Sequence, residues 1–107
     1  QRHRVGRIDI AQRDEERLLL VGTLGNIDSP DAVALITPYM DAAATRQEAA
    51  LAIVKVAEKL LGGNEPAPFA AKLIPSIEKA AQAASDEKLA GRAKAVLEKA
   101  KSKATAQ

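Results

Sequence analysis

An all-α fold, a short α-solenoid of about five antiparallel helices stacked as helix pairs, follows from three observations. Apolar residues recur at the 3.6-residue helical period in successive segments. Capping, glycine and proline residues punctuate the chain between those segments. Finally, a unit of about 40 residues repeats, the length of a helix-turn-helix pair. Strand alternation has only one short hint, Ile8-Asp9-Ile10, with no hairpin turn beside it.

The first helix is predicted from Asp14-Glu15-Glu16, acids placed where a helix N-terminus favours them, through Leu18, Val21 and Leu24. Gly25-Asn26 stops it. Ser29-Pro30 supplies a capping hydroxyl followed by proline at the first helical position, where its missing N–H costs nothing. The second helix then carries Ala32, Leu35, Ile36 and Tyr39 on one stripe, with a bend expected near Thr37 because Pro38 removes a backbone donor and crowds the preceding turn.

A third helix is predicted from about Thr45 to Leu61, with Ala49, Ile53, Val56 and Leu60 on one face and Ala50, Ala57 and Leu61 beside them. Gly62-Gly63 ends it, and Asn64-Glu65-Pro66-Ala67-Pro68 has the chemistry of a loop or helix start. Phe69, Leu73, Ile77, Ala80 and Ala84 form the stripe of a fourth helix, with a second bend expected near Pro75. Ser85-Asp86-Glu87-Lys88 caps a fifth, whose apolar positions are Leu89, Ala93, Val96, Leu97 and Ala100. The chain therefore divides into a basic arm or helix remnant at 1–13, a helical repeat domain at 14–101 and a frayed tail at 102–107.

Composition sets the limits on function. At 47% hydrophobic but only 2% aromatic, the core must be built from Ala, Leu, Ile and Val, which favours close helix contacts. The absence of cysteine excludes disulfides, thiolate metal sites and thiol nucleophiles. Apolar runs such as Leu18-Leu19-Leu20-Val21 fall far short of the roughly 18 residues of a membrane span, so a soluble chain is expected. Gln1 stands where an initiating Met would be, and no apolar signal segment follows Gln1-Arg2-His3-Arg4, so the chain reads as a piece of a longer polypeptide. Its compartment is left open.

The formal charge of +2 is unevenly spread. Arg2, Arg4, Arg7 and Arg13 crowd the start and further Lys and Arg the end, whereas Asp28, Asp31, Asp41 and Glu48 face only Arg46 between residues 26 and 54. A single broad field attractive to polyanions is not expected.

Shifting the chain by 38 positions brings Gly25-Asn26 onto Gly63-Asn64, Pro30 onto Pro68 and Leu35-Ile36 onto Leu73-Ile74. With two more residues allowed, Ala49, Ile53, Val56, Ala57 and Leu60 fall on Leu89, Ala93, Val96, Leu97 and Ala100. Leu24-Gly25-Asn26-Ile27-Asp28-Ser29-Pro30-Asp31-Ala32, Leu35-Ile36-Thr37-Pro38-Tyr39-Met40-Asp41 and Arg46-Gln47-Glu48-Ala49-Ala50-Leu51-Ala52-Ile53 together resemble a bacterial HEAT-like repeat of the armadillo-type α-solenoid class. The likeness is close in the first unit and loose in the second, where Leu89-Ala90-Gly91-Arg92-Ala93 replaces the Arg-x-Glu-Ala-Ala run. The resemblance implies a fold more than an activity. Such arrays serve as scaffolds, transport factors and phycobilin lyase subunits. Others are segments of large extracytoplasmic haem-binding, dehydrogenase-like bacterial proteins, an association that would fit a fragment, though this chain carries no Cys-x-x-Cys-His of its own.

No residue set points to catalysis. His3 is the one histidine and has no second ligand beside it, so no metal site is expected. Asp14-Glu15-Glu16 and Asp86-Glu87 are explained by helix starts, and neither a Ser-His-Asp nor a Cys-His set can be assembled. Gly62-Gly63 lacks the lysine and the preceding strand of a phosphate loop. The sharpest feature is Lys88, Arg92, Lys99 and Lys103, which line one face of the last helix and form a candidate polyanion contact. A solvated helix face explains the same row, since aromatic stackers are missing. The expectation is a non-catalytic protein-interaction or scaffolding module without cofactor, binding a protein or neighbouring domains of its parent chain. The alternatives are a nucleic-acid-binding module using the basic last helix and a chromophore-lyase-type subunit.

Overall fold

The structure is a computed structural model that describes residues 15–62 and 69–105. The described residues are all-α, with no strand among them. The elements are α1 at 15–24, α2 at Pro30–Ile36, a 3-10 turn at Thr37–Asp41, α3 at Arg46–Leu61, α4 at Ala70–Ala83 and α5 at Glu87–Thr105. The basic arm with His3, the expected loop from Asn64 to Pro68 together with Gly63, and the last two residues of the tail lie outside the described residues.

Local chemistry explains the helix boundaries. At the end of α1, Thr23 Oγ1 donates to the Leu19 carbonyl at 2.9 Å and Asn26 Nδ2 to the Gly22 carbonyl at 3.2 Å, satisfying acceptors that the helix leaves open. Ser29 is the N-cap of α2, in extended backbone, and its hydroxyl accepts from the Asp31 N–H at 3.2 Å. The break expected near Thr37 takes the form of a change of winding, from α-helix to the 3-10 turn that contains Pro38. Pro75 instead sits inside a continuous α4. It lies on the exposed side of the helix, so the acceptor it leaves without a partner one turn earlier can bond to water.

Asp86 caps α5 through its Oδ1, which accepts from the Lys88 N–H at 3.0 Å. This helix runs through Thr105, four residues past Lys101. Ala100 is buried and Ala104 packs against the core one turn later, so the apolar stripe outlasts its last large residue.

The core is centred on α3. Ala49, Ala50, Ala52, Ile53, Val54, Val56, Ala57 and Leu61 are buried over an arc of about 200°, wider than the single stripe of a surface helix. It packs against α2, the 3-10 turn, α4 and α5, and α4 packs in turn against α5. Ala52 and Val54 were not on the expected face, and Leu60, which was, is only half-buried. At Gly25 an added Cβ would lie 3.1 Å from the Ala52 Cβ, so the end of α1 approaches α3 closely because both residues are small.

Leu35 corrects the expected stripe of α2. It is 58% exposed, while Val33 takes its place inside with Ala32, Ile36 and Met40. The repeat alignment put Leu35 onto Leu73, which is buried, and so matched residue types without matching faces. Set back by one residue, Val33, Ile36 and Met40 fall on Ala70, Leu73 and Ile77, all buried. A one-residue shift turns a helix by about 100°, enough to exchange an inward position for an outward one.

Candidate interaction surface

Three surface regions carry side chains with chemistry to offer. The first is a shallow polar depression where the 3-10 turn, α3 and the α4–α5 connection meet. Lys79 Nζ donates to Asp41 Oδ1 at 2.6 Å, and Arg46 Nε donates to the Met40 carbonyl at 3.0 Å. Gln47 bridges to the far side, with Nε2 donating to the Ala83 carbonyl at 2.7 Å and Oε1 accepting from the Ser85 N–H at 3.0 Å. These contacts tie the corner together, with the Lys79 and Asp41 side chains 40 and 69% exposed. Near it, the Thr37 hydroxyl donates to the Val33 carbonyl at 2.7 Å and lies 2.9 Å from Ser76 Oγ, so Ser76 is the donor across to α2.

The second region is the basic row of α5. Arg92 Nε and its terminal nitrogen donate to the two carboxylate oxygens of Glu58 on α3, at 3.1 and 2.6 Å. The hydrogen bond to Glu58 raises the Arg92 pKa, partial burial lowers it, and the charge of Glu58 raises it, with a net rise. Lys99 Nζ reaches the Gly62 carbonyl at the end of α3 at 3.5 Å. Lys88 is exposed and Lys103 half-buried. The row therefore borders the seam between α3 and α5, and its two middle members face partners on α3.

The third region is apolar. Leu19 and Leu20 on α1, Ile27 in the turn after it and Leu35 on α2 are 72, 44, 44 and 58% exposed, and they are the exposed large aliphatic residues among those described. Leu20 and the half-buried Tyr39 line one depression with Glu16 and Arg17, and Leu35 precedes Tyr39 by about one helical turn. Around α1, Val21, Leu24 and Gly25 are buried, Leu20 flanks them and Leu19 points directly away. The signal was present in sequence as the run Leu18-Leu19-Leu20-Val21, which has more leucine than one inward stripe can use.

Among the described residues, no group of three or more His, Cys, Asp or Glu is placed to hold a metal ion, and no helix is long and apolar enough to cross a membrane. Comparison of the chain with protein-family models, with curated proteins and with solved structures gives no match.

Proposed function

We propose that this chain is a non-catalytic protein-interaction module, a scaffold of antiparallel helix pairs stacked in the HEAT-like manner, which docks a protein on the apolar face of α1 and α2. The observation that supports it most is the exposure of Leu19, Leu20 and Leu35, where the other described large aliphatics apart from Ile27 are buried or half-buried. Together with Ile27 they are large aliphatic side chains left 44 to 72% exposed, apolar surface of the kind a protein partner covers. In stacked helix pairs each pair buries its apolar side against a neighbour, and an outward apolar side calls for one.

Affinity capture on the immobilised chain, after nuclease treatment, tests this. The expected result is a specific protein held by the wild-type chain and by a Lys88→Gln, Arg92→Gln, Lys99→Gln, Lys103→Gln variant, and lost from Leu19→Glu, Leu35→Glu. Capture of nucleic acid alone, lost with rising salt and with the four Gln substitutions, would overturn the reading in favour of the basic row.

A further inference from the structure

Lys88, Arg92 and Lys99 occupy one side of α5: at about 100° per residue they fall within about 40° of arc and span about 16 Å of the helix axis. The acids of α5, Glu87 and Glu98, lie about 80° or more from each of them. Between Arg92 and Lys99 the surface dips into a depression of about 290 Å³ lined by Glu58, Arg92, Ala95, Val96 and Lys99. Part of its lining is hydrocarbon, from Ala95 and Val96, and a cation stands at either end. Glu58 holds Arg92 through two of the five N–H groups of the guanidinium, so donors remain on its other edges. Three cations against one carboxylate leave two positive charges for an occupant to match.

We infer that this stretch of α5 docks an acidic helix of a protein partner, one whose two carboxylates, seven residues apart, bracket an aliphatic side chain. The inference goes beyond the docking surface on α1 and α2 and does not rest on it. Arg92 and Lys99 are themselves seven residues, about 10 Å, apart along the helix. A partner helix lying along α5 with the pattern acid-x-x-x-aliphatic-x-x-acid therefore sets an acid at each cation and the aliphatic residue over Ala95 and Val96. The charges orient the partner, and the aliphatic residue adds the contact that excludes water. A nucleic acid matches the same surface less well. A phosphate chain gains nothing from a hydrocarbon floor, meets the Glu58 carboxylate beside it and finds no aromatic side chain in the lining to stack on.

Fluorescence anisotropy with a labelled, alanine-based helical peptide of about 18 residues carrying Glu-x-x-x-Leu-x-x-Glu tests this at low ionic strength. The expected result is saturable binding that weakens as salt rises, and that weakens about tenfold when the peptide leucine is replaced by serine. A variant combining Lys88→Gln, Arg92→Gln and Lys99→Gln should weaken it about tenfold or more. So should Ala95→Glu, whose carboxylate would stand three residues from Arg92 and four from Lys99, pair with them as the acids of the partner do, and fill the depression. All four residues are exposed, so both variants should keep the helical circular dichroism of the wild type. Absence of saturable binding overturns the inference, as does an affinity that either variant leaves unchanged. A serine peptide that binds as tightly as the leucine peptide, or single-stranded DNA of equal charge that binds more tightly than either, overturns it too and reduces the row to a general attraction for anions.

Discussion

Arg92 on α5 meets Glu58 on α3 as a two-pronged pair, both carboxylate oxygens accepting, with the two side chains 45 and 39% exposed. The fork geometry belongs to arginine and cannot be reproduced by a single ammonium. Arg92→Lys should therefore lose part of the contact and Arg92→Gln all of its charge, each costing up to about 1 kcal/mol because solvent screens the pair. A double-mutant cycle with Glu58→Gln, read by urea unfolding, checks the coupling.

The pH dependence of that pair follows from the raised Arg92 pKa. A basic group whose pKa rises on folding contributes fully below its unfolded value and loses the contribution only as pH climbs through the folded one. Both values lie at the strongly alkaline end for arginine, so the Arg92 contribution should be unchanged from neutral to mildly alkaline pH. Unfolding midpoints of wild type and Arg92→Gln should move in parallel across that range.

Gln47 ties α3 to the α4–α5 connection by one donated and one accepted hydrogen bond. Gln47→Ala should cost about 1 kcal/mol. Gln47→Glu should cost more once ionised, because a carboxylate then faces the Ala83 carbonyl without a proton to donate. The difference should disappear in acid, where the neutral carboxyl again has a donor, and urea unfolding at two pH values would show it.

Thr45 is fully buried, and its hydroxyl donates to the Tyr39 carbonyl at 2.6 Å, joining the start of α3 to the 3-10 turn. Thr45→Val keeps the volume and removes the donor, so it should destabilise by about 1 to 3 kcal/mol. Thr45→Ser keeps the donor and should lose only about 1 kcal/mol for the missing methyl. The opposite order in thermal unfolding would mean that packing, not the hydrogen bond, dominates.

Two glycines should respond with opposite signs. Gly91 lies inside α5 with nothing within 4 Å of an added Cβ, so Gly91→Ala should stabilise by about 0.8 to 1 kcal/mol through helix propensity. Gly25→Ala places its methyl 3.1 Å from the Ala52 Cβ and should destabilise by about 1 kcal/mol or more as α1 is pushed away from α3. Paired denaturation curves test both.

The helices were legible because their signals are local. Ser29-Pro30 before α2, the acids at Asp86-Glu87 and the stripe Leu89, Ala93, Val96 and Ala100 act within one or two turns of chain, so spacing alone located them. Proline was half legible. Pro38 ends the α winding and Pro75 does not, a difference that depends on what surrounds each turn.

Of the candidate surfaces, only the basic row could be found by spacing, and spacing did not reveal that Arg92 faces Glu58, a residue 34 positions away. Leu35 was misplaced for a related reason: in a seven-residue helix Ile36 lies about 100° from Leu35 on one side and about 60° from Val33 on the other, so the period permits either as its inward neighbour. The sequence by itself determined that the described residues are helical and where most of their helices begin. Only the tertiary structure decided that α3 is buried over about half its circumference, that Val33 and not Leu35 turns inward, and that Leu19, Leu20 and Leu35 remain outside. Helix periodicity is set by bonds within four residues, whereas the face a helix buries is set by neighbours tens of residues away.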